Sequence, residues 1–181
     1  AAIHDTLVPG LSLLPSHIDL SAAEPYLATQ DEKFVFAQRL GSLFPIYEYV
    51  LIDCPPSLGL LTLNALSVAS GLIIPVDVGS WALRGISHLV AVIDMVRSQH
   101  NPDLDILGVL LSMYDGRTSL SEDVAGHLRD YFDQKVFCTV IRRTVRLVRA
   151  SIDEEPILVF EPRGDIAEAY RSLAQEVINR A

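Results

Sequence analysis

Cysteine is scarce in this chain: Cys54 and Cys138 are the two thiols among 181 residues. Two residues make no disulfide framework, and neither has the clustered partners of a zinc site. Both lie in or beside apolar runs, so buried, reduced thiols are expected. Long apolar stretches are missing as well. The longest runs, such as Tyr49 to Ile52 and Ile106 to Met113, are strand-sized and fall well short of the ~18 residues of a membrane span. Positive charge is in deficit, at a formal net charge of -9, which argues against a surface coated to hold nucleic acid and confines any such contact to a local basic patch. Lysine is limited to Lys33 and Lys135. With 10 Gly and 10 Pro the chain is neither low-complexity nor disordered in composition. No signal-peptide pattern opens it, and it begins on Ala1 rather than Met, so a cytoplasmic protein with a truncated N-terminus is expected.

What is present is alternation. Leu11 to Leu14 reads as a strand, and Asp31 to Phe44 has helical periodicity through Phe34, Val35, Ala37, Leu40 and Phe44. Tyr47 to Asp53 reads as a strand ending on an aspartate. Leu60 to Ala69 reads as a helix, Gly71 to Val76 as a buried strand, and Ala82 to Arg97 as a helix stopped by Asn101-Pro102. Leu104 to Met113 is the next strand. Ser119 to Phe132 follows as a helix capped by Ser119 or Ser121. Lys135 to Ile141 gives a further strand, and Ile166 to Ile178 the last helix. Short apolar strands between helices of ten or more residues predict an α/β fold: a doubly wound, mainly parallel sheet with helices on both faces, forming one domain over residues 1–181. Ligands of such sheets bind beyond the carboxyl ends of the strands. Asp53, Asp77, Asp115 and the Arg142 to Thr144 loop all fall at or just past those ends.

The sharpest chemical signal is Val50-Leu51-Ile52-Asp53-Cys54-Pro55-Pro56. A carboxylate at a strand's carboxyl end can hold magnesium, usually through water, beside the β- and γ-phosphates of a nucleotide. Alone, the pattern fits an aspartate capping the next helix better than a metal ligand. The continuation changes that balance. Tyr47 to Leu66 (YEYVLIDCPPSLGLLTLNAL) resembles the Walker B region of the ParA/Soj/MinD group of ATPases. Ile73 to Leu89 and Asn101 to Ser121 resemble the next strands, helix and Asp-Gly-Arg loop of that family. Leu7 to Glu24, Pro162-Arg163 and Ala167 to Tyr170 extend the resemblance almost end to end.

The resemblance implies a P-loop NTPase-type fold and an intact protein that binds ATP with Mg2+ and dimerises around the nucleotide. It further implies nonspecific DNA binding, and hydrolysis stimulated by a ParB-like partner to partition chromosomes or plasmids. The family's K-G-G-x-G-K-[ST]-[ST] loop and its water-orienting aspartate should precede this segment. The chain is therefore expected to lack the first strand and phosphate loop, to have no catalytic residue of its own, and to be inactive alone. A fragment of a full ATPase is favoured over a natural paralogue acting as a non-catalytic interaction module. A MinD-like membrane-cycling ATPase is disfavoured because Gln175 to Ala181 carries no basic amphipathic extension, so no membrane partner is expected.

Ile141 to Arg149 (IRRTVRLVR) is similar to the family's I-P-R-N-V-R-L-S-E, whose Pro and Asn flank the adenine. Arg142 and Thr144 occupy those two positions and depart from the pattern. Arg143, Arg146 and Arg149 form a basic patch suited to phosphate contacts, of which Arg143 matches the family's DNA-contacting surface and Arg149 replaces a glutamate. The competing reading pairs these arginines with Asp153, Glu154 and Glu155, which stand with Ile152 in place of Ser-His-Gly-Lys. Asp115 and Arg117 are expected to order their loop, Trp81 to pack, and the five histidines to bind no metal.

Overall fold

The computed structural model describes residues 3–29, 34–78 and 82–181. They fall into two compact units, Ala1–Val68 and Ala69–Ala181. In the first, β1 (His4–Asp5) and β2 (Ser12–Leu13) form a short antiparallel pair, followed by α1 (Glu24–Thr29), α2 (Val35–Leu40) and α3 (Leu60–Leu66). In the second, β3 (Gly71–Asp77), α4 (Ala82–Gln99), β4 (Asp105–Tyr114), α5 (Ser119–Phe132), β5 (Val136–Arg142), α6 (Val145–Ile152), α7 (Ile157–Phe160) and α8 (Asp165–Arg180) follow in order.

The second unit is an α/β layer structure, as the alternation predicts. Its strands form a parallel sheet in the order β3-β4-β5. Central β4 is the most apolar of them, and Ile106, Val109, Leu110 and Leu111 are all buried. Because successive residues of a strand point to opposite faces, that run needs cover on both. Leu110, Phe137 and Ile141 pack with Leu147 of α6 and with Ala169, Tyr170, Leu173 and Val177 of α8. Helix α5 also packs on β4 and β5, burying Val124, Ala125, Leu128 and Phe132. Gly108 is required here, since a Cβ would lie 2.3 Å from the Phe137 ring. On β5, Glu176 accepts hydrogen bonds from the Cys138 and Thr139 N–H groups, both at 2.8 Å. Its carboxylate so occupies donors that an edge strand would otherwise offer to another chain.

In the first unit, buried Asn64 of α3 accepts from the Val35 and Phe36 N–H groups at 2.7 and 3.3 Å and donates to the Leu60 carbonyl at 2.8 Å. It satisfies donors at the start of α2 that the helix cannot satisfy itself. Glu24 does the same for α3, accepting from the Leu61 N–H at 3.1 Å. Gly59 admits that carboxylate, because a Cβ there would lie 2.4 Å from Glu24 Oε1.

Several expectations need correction. Tyr47 to Asp53 forms no strand and joins no sheet among the described residues, and Val50 and Leu51 are exposed. A strand is stabilised by its neighbours, and the apolar run alone does not supply one. The strand at Leu11 to Leu14 shrinks to two residues, and the helix at Asp31 to Phe44 is described only as Val35–Leu40. Thr118, not Ser119 or Ser121, caps α5, its hydroxyl accepting from the Ser121 N–H. Both cysteines are free and exposed, not buried. Cys54 Sγ turns toward the Ile52 carbonyl at 3.7 Å. Partial desolvation first, and the neighbouring Asp53 charge second, push its pKa up. Trp81 and Lys33 lie outside the described residues.

Candidate functional site

Parallel strands deliver their carboxyl ends to one side of the sheet, and there β4 and β5 open a cleft. It measures about 460 Å³ and is lined by Tyr114, Asp115, Gly116, Arg117, Arg142 and Arg143. The two strand exits are tied together by the Arg143 N–H, which donates to the Tyr114 carbonyl at 3.1 Å. Just before the exit of β4, Met113 takes φ 53, a left-handed conformation uncommon for a residue with a side chain. The β4–β5 register is irregular between Leu111 and Tyr114, so the strand re-aims its last residues where the cleft begins.

The cleft's charges are of two kinds. Arg117 is held by Asp115: its Nε and Nη2 donate to the two carboxylate oxygens at 2.8 and 2.7 Å, and its backbone N–H donates at 3.1 Å. This two-pronged contact, with the Arg117 charge and a smaller pull from Arg143, lowers the Asp115 pKa to about 2. Arg142 and Arg143 make no ion pair among the described residues. Each is exposed, and Arg142 also borders a second cleft of about 340 Å³ toward α8.

Thr144 ends the loop as the cap of α6, its hydroxyl accepting from the Arg146 N–H at 3.1 Å. On α6, Arg146 donates to Glu161 at 2.7 Å, while Arg149 is exposed and without an ion pair among the described residues. The structure therefore brings Arg142 and Arg143 into one cleft, sets Thr144 beside them in a capping role, and engages Arg146 elsewhere. The competing pairing of these arginines with Asp153, Glu154 and Glu155 is not formed within the chain among the described residues. Asp53 belongs to the first unit, where it is exposed in the segment before Pro55, which has no regular secondary structure. Glu161 escaped the sequence reading: it lies 15 residues after Arg146, beyond any helical spacing.

A bound nucleotide needs cation, base and phosphate partners. Magnesium is commonly held by one or two carboxylates together with substrate phosphates and water, and Asp53 is an exposed carboxylate. Among the described residues no group of three His, Cys, Asp or Glu side chains clusters to hold a metal unaided. Among the described residues the lysine is Lys135, and it is committed elsewhere. Lys135 sits before β5 at the opposite end of the sheet, where Nζ donates to both Asp105 oxygens at 2.8 Å and to the Ile106 carbonyl at 3.0 Å. Among the described residues, then, position 53 offers an exposed carboxylate and the sheet a basic cleft, while the lysine is committed to Asp105. No helix among the described residues is long and apolar enough to cross a membrane.

Known proteins share this architecture and sequence. A family model described as an AAA domain matches residues 1–106. The sporulation initiation inhibitor protein Soj of Bacillus subtilis is 43% identical over 97% of this chain and 70% of its own length. The chromosome partitioning protein ParA of Myxococcus xanthus is 38% identical over 98% of this chain and 63% of its own. The chain spans 55% of the length of an uncharacterised Mycobacterium tuberculosis protein that is 45% identical over 96% of it. A cobyrinic acid a,c-diamide synthase from Mycobacterium smegmatis, solved with bound ADP and magnesium, superposes at TM-score 0.71 and 34% identity over 85% of this chain and 68% of its own. The cell division ATPase MinD of Pyrococcus furiosus superposes at TM-score 0.73 and 22% identity over 99% and 70%, a likeness of fold. With a Soj relative at this identity over almost the whole chain, the α/β sheet is of the P-loop NTPase type, and the chain belongs to the ParA/Soj family.

Proposed function

We propose that this chain is the sheet-and-cleft portion of a partitioning ATPase that binds Mg-ATP, dimerises with nucleotide and attaches to DNA without sequence preference. A ParB-like partner then stimulates hydrolysis and release. The observation that carries the reading is the pair of exposed arginines, Arg142 and Arg143, without an ion pair among the described residues at the carboxyl ends of β4 and β5, where this fold class binds ligands. Asp53 is assigned to magnesium through water. The Arg142 and Thr144 positions are assigned to the base, with Thr144 offering backbone because its hydroxyl caps α6. Arg143 and Arg149 are assigned to DNA phosphates, while Arg146 contributes less because Glu161 already holds it.

Titration with Mg-ATP, followed calorimetrically and by sedimentation, tests the reading on the longest native form of the protein. Saturable binding accompanied by dimer formation, and lost in Asp53→Ala, supports it. Failure to bind Mg-ATP with intact folding sinks it and leaves a second reading in place: a non-catalytic ParA-like interaction module. The specific observation favouring that alternative is Lys135, committed to Asp105 at the wrong end of the sheet to meet a phosphate.

A further inference from the structure

Helix α6 presents apolar side chains in two directions. Leu147 and Ala150 turn inward, against Tyr170 and, for Ala150, Ile157 and Ile166. On the other side Val145, Val148 and Ile152 are 68%, 60% and 74% exposed. Their spacing of three and four places them on one stripe. Single exposed aliphatics are ordinary, whereas three aligned on one short helix make a docking face.

The charges at the two ends of that stripe are opposite. Arg142 and Arg143 lead into α6, and Asp153, Glu154 and Glu155 leave it. None of the five makes an ion pair among the described residues. The acidic end is also held in place. The Asp153 N–H donates to the Arg149 carbonyl at 2.9 Å, and the Glu155 N–H to the Ala150 carbonyl at 2.9 Å. Glu154 takes φ 55 to close this cap, a conformation that glycine adopts without strain. The residue in this conformation carries a carboxylate, set at the acidic end of the stripe.

We propose that α6 pairs antiparallel with α6 of a second copy of this chain, across a two-fold axis beside Val148. The axis sets Val148 against the partner's Val148, and Val145 against the partner's Ile152. Arg143 then meets the partner's Glu154, and Arg142 meets the partner's Glu155. Each contact is made twice, as an isologous interface requires. Antiparallel packing also sets the positive amino end of each helix beside the negative carboxyl end of the other. A lipid surface or a DNA duplex would be repelled by Asp153 to Glu155, and DNA gains nothing from the aliphatic stripe. The stripe and its end charges complement themselves. The interface is small, so association is weak and rises with protein concentration. It needs no nucleotide, and it occupies Arg143, so the paired state withholds that side chain from DNA.

Sedimentation of the chain over a concentration series at low salt, without nucleotide, tests this. The expected result is reversible dimerisation that weakens as salt screens the end charges. R143E alone and E154R alone each raise the dissociation constant about ten-fold or more through like-charge contacts. An equimolar mixture of the two recovers association, because each chain then presents what the other lacks, a rescue no misfolded variant gives. V148C, made in a C54S/C138S background, oxidises to a covalent dimer, whereas S98C on α4 in that background does not. A chain that stays monomeric throughout the series overturns the proposal. So does indifference to R143E, failure of the mixture to recover, or capture of the monomer by anionic vesicles through the Val148 face.

Discussion

At the amino end of the three-stranded sheet, Asp105 holds both Lys135 and Arg97, and Arg180 donates to the carbonyls of Leu107, Lys135 and Val136 at 3.0 to 3.2 Å while lying 4.2 Å from the centroid of the Phe137 ring. At the carboxyl end of the same strands, Arg142 and Arg143 border a cleft with no ion pair among the described residues. The same residue type does different work at the two ends. Where cations meet carbonyls and carboxylates of their own chain, they hold strands and helices together. Where they stand exposed in a concave surface without an ion pair, they are available to an anion from outside.

The contrast breaks most visibly at Arg180. Its removal strands three carbonyls beneath α8 and loses the stacking on Phe137, so Arg180→Ala should destabilise the fold by about 2–3 kcal/mol. Chemical denaturation measures this, and a loss under 0.5 kcal/mol would remove the amino end from the comparison. Glu154 should respond in the opposite sense. Glu154→Gly relieves a left-handed residue and should stabilise by ~1 kcal/mol in the same assay, provided the chain is dilute enough to be monomeric. Arg142→Ala should shift stability by less than ~0.5 kcal/mol, because among the described residues no ion pair depends on that guanidinium.

The cleft's own paired charge sharpens the comparison through pH. The Asp115 pKa falls to about 2 because Arg117 bonds its carboxylate, against ~3.9 for an unfolded aspartate. A depressed folded-state pKa means the contribution of this pair is present above the unfolded value. It is lost as the pH falls from about 4 toward 2. Carboxyl-detected NMR titration should place the Asp115 midpoint near 2 and return it to the ordinary range in Arg117→Ala. An unshifted midpoint in the parent chain would mean the loop is not ordered by this pair.

Much of the sheet was legible in the sequence because β3, β4 and β5 are each short apolar runs whose neighbours lie one helix away. Helix α5 was read at its observed bounds, and α4 and α8 within two residues of theirs. The misses have physical reasons. Tyr47 to Asp53 carries a strand's composition, but pairing is a property of neighbours and not of the run. Thr118 outcompeted the serines because the Asp115 to Thr118 turn places its hydroxyl toward the Ser121 N–H. Helices α6 and α7 are too short for periodicity to announce. The arginine cluster was visible as composition. That Arg146 is consumed by Glu161 while Arg142, Arg143 and Arg149 are not depends on a contact across α7, which no local pattern encodes.

The central claim is that the carboxyl-end arginines serve a ligand and not the fold. The direct test is binding of random-sequence duplex DNA across a salt series, comparing the longest native form of the protein with its Arg143→Ala variant in Mg-ATP. The account predicts an unchanged melting temperature, weaker binding to every sequence alike, and a salt-dependence slope reduced by about one. A variant that melts earlier but binds DNA with the parent's affinity and slope would contradict it, assigning Arg143 to the fold.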